Sequence, residues 1–570
     1  MSDTNFWKRA PTGAISRRHL IRGASMAGAG LAGAALIGCG AKKTEPSPAA
    51  SSPGAPAAAT AKTAAAVQPK SGGRLQQAQA GDPPTFDLHT SSTNLIARPA
   101  EPLFSTLVQY DPAKPAEKPG DIIPDLAESW EVSKDGLTYV FKLKQGVKFH
   151  DGTPFVAADV KASYERQANP PKGLIPPRQI QFEVIKAMEM PDATTLKMTM
   201  GRPASPLSML PIFAQGMNAI YSQKDAVNDK FDWKNKANGT GPYRDVRYER
   251  GVKVTMERNK DYHVKGRPYL DGLDIYLMPQ AASRDAALLA GQLDLTDSLS
   301  AGSREQIKAN LGEKAVYSRQ IGLGFNVLNY NTSKAPWNDE RVRQALNLGI
   351  NKQDAIKVAA KGEGALGGYL VPDGDWALPQ AEIEKLPGYQ PQGPNSVAEA
   401  KKMLAAAGVK DGLEVNVLVR TSFYEDLCLF TGDQLAKLGF KAKQDPVETV
   451  VAYDRINKRN FDLVPWGFGS QLDDPDAIWQ EFYLKASSRN YSELSTPEIE
   501  AAFLKQTVEL DPVKRKALVA DLQKVSLPVL AKSVYYWGTG ESAVYKKVQG
   551  YSTHRTMYNN TKMQDVWLNA

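Results

Sequence analysis

Residues 125–164 are the part of the chain that most constrains its fold. Residues 134–136 form a turn signal between two runs of strand-forming residues, and residues 137–143 alternate apolar and polar side chains. This pattern predicts a β-hairpin with one buried face. A second turn signal at residues 150–154 leads into helix-forming residues from Ala157 onward. The chain therefore mixes sheet and helix over a short distance.

The length and charge of the chain limit the classes of protein to which it can belong. At 570 residues it is too long for a single hydrophobic core, so we expect two or three domains. The formal net charge is +8, but half of it lies in residues 1–38, which hold five basic side chains and one acidic one. No run of basic residues interleaved with aromatic ones follows, so we expect no nucleic-acid partner.

Cysteine and histidine are scarce. Cys39 and Cys428 are the two cysteines, which cannot make a disulfide framework, and we expect Cys428 to be a small buried apolar residue. The histidines beyond the N-terminal region are scattered, with no pair at metal-ligand spacing. Neither a Gly-x-Ser-x-Gly elbow nor a nucleotide-binding glycine pattern is present. We therefore predict no metal, no cofactor and no enzyme activity.

The first 38 residues have the features of an export signal. Arg17 and Arg18 precede two bulky apolar residues, and residues 23–38 are uncharged but rich in Gly and Ala, too short and too glycine-rich for a stable membrane span. The paired arginines resemble a twin-arginine (Tat) signal, with an ordinary Sec signal as the alternative. Leu-Ile-Gly before Cys39 resembles a lipobox, so we expect lipid on Cys39 to anchor the mature protein to a bilayer outside the cytoplasm.

Residues 39–71 are predicted to form a tether. They consist mainly of Ala, Pro, Ser and Thr, with almost no large apolar side chain. Such a segment cannot bury enough apolar surface to offset its loss of conformational entropy, so we expect it to stay disordered. It would link the lipid to a folded region that begins near residue 72.

Several motifs together resemble one family. Residues 125–164 contain its Trp, both of its Asp-Gly turns and its Ala-Asp-Val helix start in the right order and spacing. Residues 239–243 resemble its Gly-Thr-Gly-Pro-Tyr element, and residues 342–346 match its Val-Arg-Gln-Ala-Leu helix. The chain thus resembles, over residues 72–570, the family 5 extracellular solute-binding proteins, the dipeptide- and oligopeptide-binding subunits of ABC importers.

Local signals predict where individual elements begin and end. Ser396 is predicted to cap a helix that stops at Gly408, with Glu399 completing a capping box. Asp339 is predicted to cap the Val-Arg-Gln-Ala-Leu helix, and Arg343 to make a salt bridge on its surface.

Strand and helix signals later in the chain predict a parallel sheet. A strand at 413–419, a helix at 427–438 and a strand at 461–466 follow one another in that order. Such a sequence of elements pairs its strands in parallel through a right-handed crossover.

The resemblance implies an α/β fold with two lobes, of the large periplasmic-binding-protein type with an extra subdomain in lobe one. Lobe one would comprise residues 72–321 and 538–570, with the inserted subdomain at about 111–239. Lobe two would comprise residues 322–537. A solute would be trapped by closure of the lobes about the two chain crossings.

In a two-lobed α/β binder the ligand lies between the lobes, against the carboxyl ends of strands. The loop after the first strand and the loop after the strand at 461–466 are the candidates, although Trp466 fits a place in the core almost as well. The residues predicted to bind ligand are Ser92, Thr93, Asn94, Trp466, Phe468, Gln471 and Asp473.

One position departs from the family pattern. In peptide-binding relatives, an Asp four residues before the proline of an Asp-Pro pair typically binds the α-ammonium of the peptide, and counting back from Pro475 gives Gln471. An amide supplies no charge to offset burial of an ammonium. Asp473 is an alternative partner. We therefore expect that the solute need not be a free-amine peptide, and peptide binding that is strong but lost in Asp473→Asn would contradict this.

These features predict an extracytoplasmic, membrane-anchored lipoprotein that binds a small solute, a peptide first of all, and delivers it to the permease subunits of an ABC importer. We expect a monomer, with the lipid bilayer as a partner through acylated Cys39. One alternative is a binder of the same fold for an oligosaccharide or a metal complex. A sensor or adhesin lipoprotein is another, and a Tat-exported enzyme comes last.

Overall fold

The computed structural model describes residues 68–569 except 91–92, 115–117, 175, 229, 394, 422, 471, 488 and 556–560. The predicted export signal, Cys39 and most of the predicted tether lie outside the described residues, as do Ser92 and Gln471. Residues 67–570 belong to a single unit.

Strands occur from the beginning to the end of the described chain. Many alternate buried and more exposed side chains, as Arg74–Gln79 does, which is the pattern of a sheet with one face in the core. In chain order they are β1 (Arg74–Gln79), β2 (Val108–Tyr110), β3 (Ile122–Pro124), β4 (Ala127–Val132), β5 (Thr138–Leu143), β6 (Ile185–Asp192), β7 (Thr195–Met200), β8 (Tyr243–Glu249), β9 (Lys253–Arg258), β10 (Gly272–Leu277), β11 (Leu295–Thr296), β12 (Ala315–Tyr330), β13 (Gly364–Ala365), β14 (Glu414–Arg420), β15 (Lys441–Val447), β16 (Leu463–Gly469), β17 (Lys532–Tyr545), β18 (Val548–Gln549) and β19 (Trp567–Leu568).

Helices cover the faces of the sheets. Several begin at an acidic side chain that accepts a hydrogen bond from the first turn, among them Asp339, Asp474 and Asp511. Within the described ranges, no helix is long and apolar enough to cross a membrane. In chain order they are α1 (Ala97–Ala100), α2 (Ala157–Ala168), α3 (Gln179–Phe182), α4 (Pro206–Ala214), α5 (Gln223–Ala226), α6 (Ala281–Leu289), α7 (Arg304–Leu311), α8 (Glu340–Gly349), α9 (Lys352–Asp354), α10 (Gln380–Ile383), α11 (Ser396–Ala406), α12 (Glu425–Lys437), α13 (Thr449–Asn457), α14 (Pro475–Phe482), α15 (Pro497–Thr507) and α16 (Pro512–Val529).

In the part of the chain that the structure describes, the strands form three larger sheets. Two are four-stranded, with the orders β1-β10-β9-β8 and β4-β5-β7-β6. The third is seven-stranded, with the order β11-β17-β12-β16-β14-β15 and with β13 beside β17. Two short pairs, β2 with β3 and β18 with β19, complete the set.

Each larger sheet contributes to a hydrophobic core of its own. The sheet of β1 packs with Val544, Val548 and Val566, so the last part of the chain returns to the sheet that its first strand builds. The sheet of β4 packs against α2 and α4. The seven-stranded sheet buries side chains on both faces, for example Val417 on one and Leu418 on the other, as expected where helices cover both sides.

β12 and β17 connect the two ends of the seven-stranded sheet. They pair in antiparallel fashion from Ala315 opposite Tyr545 to Asn329 opposite Lys532, and their register breaks between Ile321 and Phe325. One end of this pair lies beside β11 and the other beside β16. The pair therefore carries the chain twice between the two halves of the fold.

The predicted hairpin in residues 125–164 and the predicted parallel pairing of the strands near 413–419 and 461–466 are confirmed. β4 and β5 form the predicted hairpin, and Gly136 in its turn has φ +67° with a carbonyl oxygen only 2.9 Å from where a Cβ would lie. β14 and β16 pair in parallel through Val417 and Leu463. Between them the chain forms β15 and α13, which the sequence patterns did not indicate.

The predicted helix cap at Asp339 is confirmed, but two other local predictions are wrong. Asp339 accepts a hydrogen bond from the backbone of Arg341 at 2.9 Å. Ser396 is the first helical residue of α11 and not its cap, because the helix starts one residue earlier than the composition suggests, after Asn395. Arg343 is 3% exposed and pairs with no carboxylate in the described part of the chain, since its guanidinium donates to the carbonyls of Trp337 and Val529.

A buried carboxylate joins three distant parts of the chain. Asp125 is fully buried, accepts a hydrogen bond from the backbone of Thr106 at 2.8 Å, and pairs with the ammonium of Lys562. Nε2 of His263 lies 3.1 Å from its other oxygen. Burial raises the pKa of Asp125, but Lys562 and His263 outweigh burial, so its pKa lies well below the usual range.

We predict that Asp125→Asn lowers the free energy of unfolding by about 3 kcal/mol at pH 7, because the ammonium of Lys562 is left buried without a counter-ion. Because the pKa of Asp125 is lower in the folded protein than in the unfolded chain, where it is about 4, the ionised carboxylate stabilises the fold above about pH 4. This stabilisation is lost as the pH falls toward the pKa of the folded state. The difference between variant and wild type should therefore shrink below about pH 4. Urea unfolding at pH 7 and pH 3 measures both values.

Asp454→Asn is the matched control, since Asp454 pairs with Lys458 on the exposed surface at the end of α13. It should change the free energy of unfolding by less than about 1 kcal/mol. Equal stability of Asp125→Asn and wild type at pH 7 would contradict the role assigned to Asp125.

Candidate functional site

A cavity of about 320 Å³, here called the central cavity, lies where β12 and β17 lose their register. Its volume is at the lower end of the range of about 300–1,000 Å³ for small-molecule sites. Because glycine has no side chain, the strand backbones of β12, β16 and β17 form much of its wall. The glycines that line it are Gly322, Gly324, Gly469, Gly538 and Gly540.

Polar side chains from both ends of the chain complete the wall of the central cavity. Asn94 comes from the region after β1, and Tyr551, His554 and Arg555 come from the region after β18. Gln320 of β12 also lines the cavity and donates a hydrogen bond to the carbonyl of His554 at 2.6 Å. Burial lowers the pKa of His554 to about 4, so its ring is neutral at pH 7.

Asp297 is the acidic residue among the described residues that line the central cavity. Its carboxylate pairs with the guanidinium of Arg98 and accepts a hydrogen bond from the hydroxyl of Tyr551 at 2.6 Å. The negative charge is therefore already balanced within the protein. The described wall offers no uncompensated carboxylate to a cationic group of a ligand.

Of the three residues that we predicted to bind ligand from the loop after β1, one lines the central cavity. Asn94 lines the central cavity. Thr93 instead accepts a hydrogen bond from the backbone of Leu95 at 3.4 Å, at the start of a helical turn. Ser92 lies outside the described residues, as does Gln471 of the second loop.

Trp466 and Phe468 are 1% and 3% exposed and lie in the core of the seven-stranded sheet. Trp466 packs against Tyr424 and Tyr453, with ring centroids 5.3 and 5.2 Å away. Phe468 packs against Phe482 at 4.7 Å. The strand alternates, so that these side chains face inward while the central cavity is lined by Gly469 and Ser470, a part of the predicted loop.

Asp473 lies next to a turn at residues 373–375. A Cβ on Gly374 would come within 2.9 Å of its carboxylate. Burial raises the pKa of Asp473 to about 7, against the opposite effect of Arg555 and together with the neighbouring acids Asp474 and Asp375. Asp473 does not belong to the wall of the central cavity. A ligand-binding role for Trp466, Phe468, Gln471 and Asp473 stays a prediction.

Arg420, at the end of β14, was not among the predicted site residues. The parallel strands β14, β15 and β16 end at Arg420, Val447 and Gly469, so Arg420 is on the same sheet edge as the central-cavity residue Gly469. Ligands of open α/β sheets bind at such carboxyl edges. A basic residue at the end of a predicted buried strand was the signal in the sequence.

Aromatic rings surround the guanidinium of Arg420. Its central carbon lies 3.7 Å from the ring centroid of Phe423, 5.3 Å from that of Trp466 and 5.4 Å from that of Tyr453. Its Nε donates to the hydroxyl of Thr449 at 3.1 Å. Among the residues that the structure describes, no carboxylate forms an ion pair with Arg420. Its guanidinium is therefore held in place by aromatic rings and one hydrogen bond, but its positive charge is not neutralised.

The remaining candidates for chemistry have structural surroundings. Cys428 is buried, and burial raises the pKa of its thiol to about 12, which fits the small buried residue that we predicted. Nε2 of His150 lies 3.2 Å from the carbonyl of Gly241, and burial lowers its pKa to about 4. No group of three or more His, Cys, Asp or Glu in the described ranges is placed to hold a metal ion.

Two halves joined by a pair of long strands, with a ligand-sized cavity at the junction, are the architecture of a two-lobed solute-binding protein. Residues 121–490 match the family model of the bacterial extracellular solute-binding proteins, family 5 (middle), and the chain belongs to this family. Its members are the substrate-binding proteins of ABC importers. The predicted family and the predicted two-lobed α/β fold are thereby confirmed.

Individual relatives agree with this assignment. Heme-binding protein A of Haemophilus influenzae is 33% identical over 320 residues, which are 53% of this chain and 56% of that protein. The alignment thus spans about half the length of that relative. The dipeptide-binding protein of Escherichia coli is 26% identical over 520 residues, 86% of this chain and 93% of that protein.

Solved structures have the same fold. The binding protein AgaA from A. tumefaciens R10, in complex with agropinic acid, is 25% identical with a TM-score of 0.76 and covers 87% of this chain and 99% of its own. The periplasmic binding protein DppA from Helicobacter pylori, in complex with the peptide STSA, is 24% identical with a TM-score of 0.77, covering 88% and 99%.

We predict that Gly324→Leu abolishes solute retention while the protein stays folded. Gly324 lines the central cavity, and the nearest atom to an added Cβ is 3.7 Å away, so a side chain fits there but fills the space that a solute needs. Mass spectrometry of small molecules released on denaturation, after exposure to a natural-host extract, measures retention. Gly302→Leu is the control, since Gly302 is exposed with no atom within 4 Å of an added Cβ. Normal retention by Gly324→Leu would place the solute elsewhere.

Proposed function

We propose that the solute is a short peptide or a related amino-acid conjugate, recognised by its carboxylate and bound in and around the central cavity. The single observation that carries this proposal is Arg420, a half-buried guanidinium with no carboxylate partner among the described residues. Burying a cation without a counter-ion costs free energy, and an anionic group of the solute would offset that cost.

The surroundings of Arg420 suit a carboxylate. The rings of Phe423, Tyr453 and Trp466 hold the guanidinium by cation–π contacts, so little conformational freedom is lost when a ligand binds. A guanidinium presents paired donors that match the two oxygens of a carboxylate. A neutral oligosaccharide lacks such a group and therefore ranks below a peptide or conjugate.

Recognition of an α-ammonium has weaker support. Asp297 in the central cavity is neutralised by Arg98. Asp473, with a pKa of about 7, is only partly ionised at neutral pH. The similar proteins support recognition of the carboxylate, because they include a dipeptide-binding protein and the complex of AgaA with agropinic acid. A carboxylate anchor is compatible with either kind of solute.

The glycine-lined wall supports an extended solute backbone. Between Ile321 and Phe325, β12 has no residue of β17 opposite to it. Leu323 bonds to Arg555 and Ser470 instead, and Gly322 and Gly324 on either side of it bring the backbone to the surface of the central cavity. An extended peptide can pair with an exposed strand backbone by main-chain hydrogen bonds, which bind without regard to side-chain identity. Specificity would then come from Arg420 and from the size of the cavity.

Transport would depend on closure of the lobes. We propose lobe one as residues 72–321 and 538–570, with a subdomain at about 111–239, and lobe two as residues 322–537. Rotation about β12 and β17 would bury the solute, and the permease would recognise the closed form. Affinity for solute and affinity for permease are then linked through one equilibrium. The protein would act as a monomer and catalyse no reaction.

We predict that replacing the carboxylate of a bound dipeptide by an amide weakens binding to the wild type by about tenfold or more, the value of one charge-assisted hydrogen bond. In Arg420→Gln the free acid and the amide should bind alike, because the guanidinium that separates them is gone. Calorimetric titration of both ligands into both proteins gives the four dissociation constants from which the coupling between the carboxylate and Arg420 is calculated. N-acetylation of the dipeptide should weaken binding less than amidation does.

Arg341→Gln is the control for Arg420→Gln. Arg341 is an exposed arginine that pairs with Asp339 at the start of α8, and its replacement should leave the acid-to-amide ratio unchanged. A wild type that binds acid and amide equally well, or a ratio that persists in Arg420→Gln, would refute carboxylate recognition by Arg420.

We also propose that the protein is a lipoprotein held to a bilayer through Cys39, after export by a twin-arginine signal. Cys39→Ser should move the protein from the membrane fraction to the soluble extracytoplasmic fraction, since the acyl chains supply the membrane affinity. Cys428→Ser, which removes the other cysteine, should not. Lysines in place of Arg17 and Arg18 should block export if the signal is of the Tat type. Immunoblots of cell fractions measure all three variants.

A further inference from the structure

A second cavity of about 680 Å³ lies beside the central cavity. Much of its wall is apolar, with Ile321, Leu366, Trp376 and Leu378 among the residues that line it. Charged residues Glu382 and Lys524, whose side chains lie 3.5 Å apart, also contribute. A mainly apolar wall with a few charges fits an apolar group that belongs to a larger polar molecule.

The two cavities meet at β12. Gln320 and Gly322 line the central cavity, whereas Ile321 between them lines the second one. Side chains add a further barrier, because Arg555 lines the central cavity and Asp373 lines the second cavity. Nη1 of Arg555 lies 3.0 Å from a carboxylate oxygen of Asp373. This ion pair therefore joins a side chain that lines the central cavity to a side chain that lines the second cavity.

The two partners of this ion pair differ in their freedom to move. Asp373 has φ +68°, and a side chain on Gly374 would collide with Val371 at 2.7 Å, so the turn that carries Asp373 is tightly packed. The carbonyl of Arg555 accepts a hydrogen bond from Leu323 at 3.0 Å, which holds its backbone. The long side chain of Arg555 is therefore the part of the barrier that can swing aside.

We propose that the Arg555–Asp373 ion pair closes one end of the central cavity, and that the second cavity accommodates the apolar end of longer solutes once this pair opens. The side chains of Arg555 and Asp373 are 18% and 55% exposed, and ion pairs that solvent reaches on one side are weaker than buried ones, so an apolar group that gains burial can displace the pair. The occupant is the distal part of the same solute, because neighbouring residues of β12 line the two cavities and this pair joins a side chain of one wall to a side chain of the other. The inference rests on the proposed function.

The test compares peptides of different length. Dialanine, and dialanine extended by Phe-Leu at either end, are titrated into wild type and into Arg555→Ala, and the ratio of the affinities for long and short peptides is the readout. Removing the Arg555 side chain should raise this ratio by about tenfold or more for one of the two extended peptides. Asp373→Asn, which keeps the shape but weakens the pair, should raise it less.

Lys516→Ala is the control, since Lys516 lines the second cavity but is not part of the barrier. It should leave the ratio within about twofold of wild type. An unchanged ratio in both Arg555→Ala and Asp373→Asn would overturn the inference, even if Arg555→Ala weakens every peptide by loss of a direct contact. A wild type that binds none of the peptides would instead overturn the proposed function on which the inference rests.

Discussion

The need to satisfy backbone hydrogen bonds at the break between β12 and β17 determines how the rest of the site is built. Buried backbone groups must be paired, and the two strands stop pairing between Ile321 and Phe325. The chain supplies substitutes, because Leu323 donates to the carbonyl of Arg555 at 3.0 Å and accepts from the backbone of Ser470 at 2.8 Å. The segments that carry Arg555 and Ser470 are thereby brought to the central cavity.

Charge pairs fix the elements around this opening. Asp474 caps α14 and is held by two hydrogen bonds from the fully buried guanidinium of Arg515, at 3.0 and 3.1 Å. The Asp-Pro pair of the family is thus a structural anchor in this chain, placed directly after the loop that borders the cavity. On the other side, Glu363 pairs with Arg304 of α7 and accepts from Thr539 of β17, which ties the crossing strands to both halves.

The sequence predicted the local elements well where pattern and turn chemistry agreed, as in the hairpin of β4 and β5. It also identified Asn94, which lines the central cavity, through the resemblance of the first loop. Strand alternation turns Trp466 and Phe468 toward the core and leaves Gly469 on the cavity side, so a role of these two side chains in ligand binding stays a prediction. Arg420 could have been found as a basic residue at the end of a predicted strand, but the aromatic rings around it and the barrier that Arg555 forms depend on residues far away in sequence.

In the proposed complex, the solute occupies the gap between the crossing strands and directs its carboxylate to Arg420. A crystal structure of the protein loaded from a natural-host extract tests this arrangement most directly. We predict ligand density against Gly324 and Gly538, with an anionic group within hydrogen-bonding distance of Arg420. Density for a solute elsewhere, or a bound solute that leaves Arg420 without an anionic partner, would contradict it.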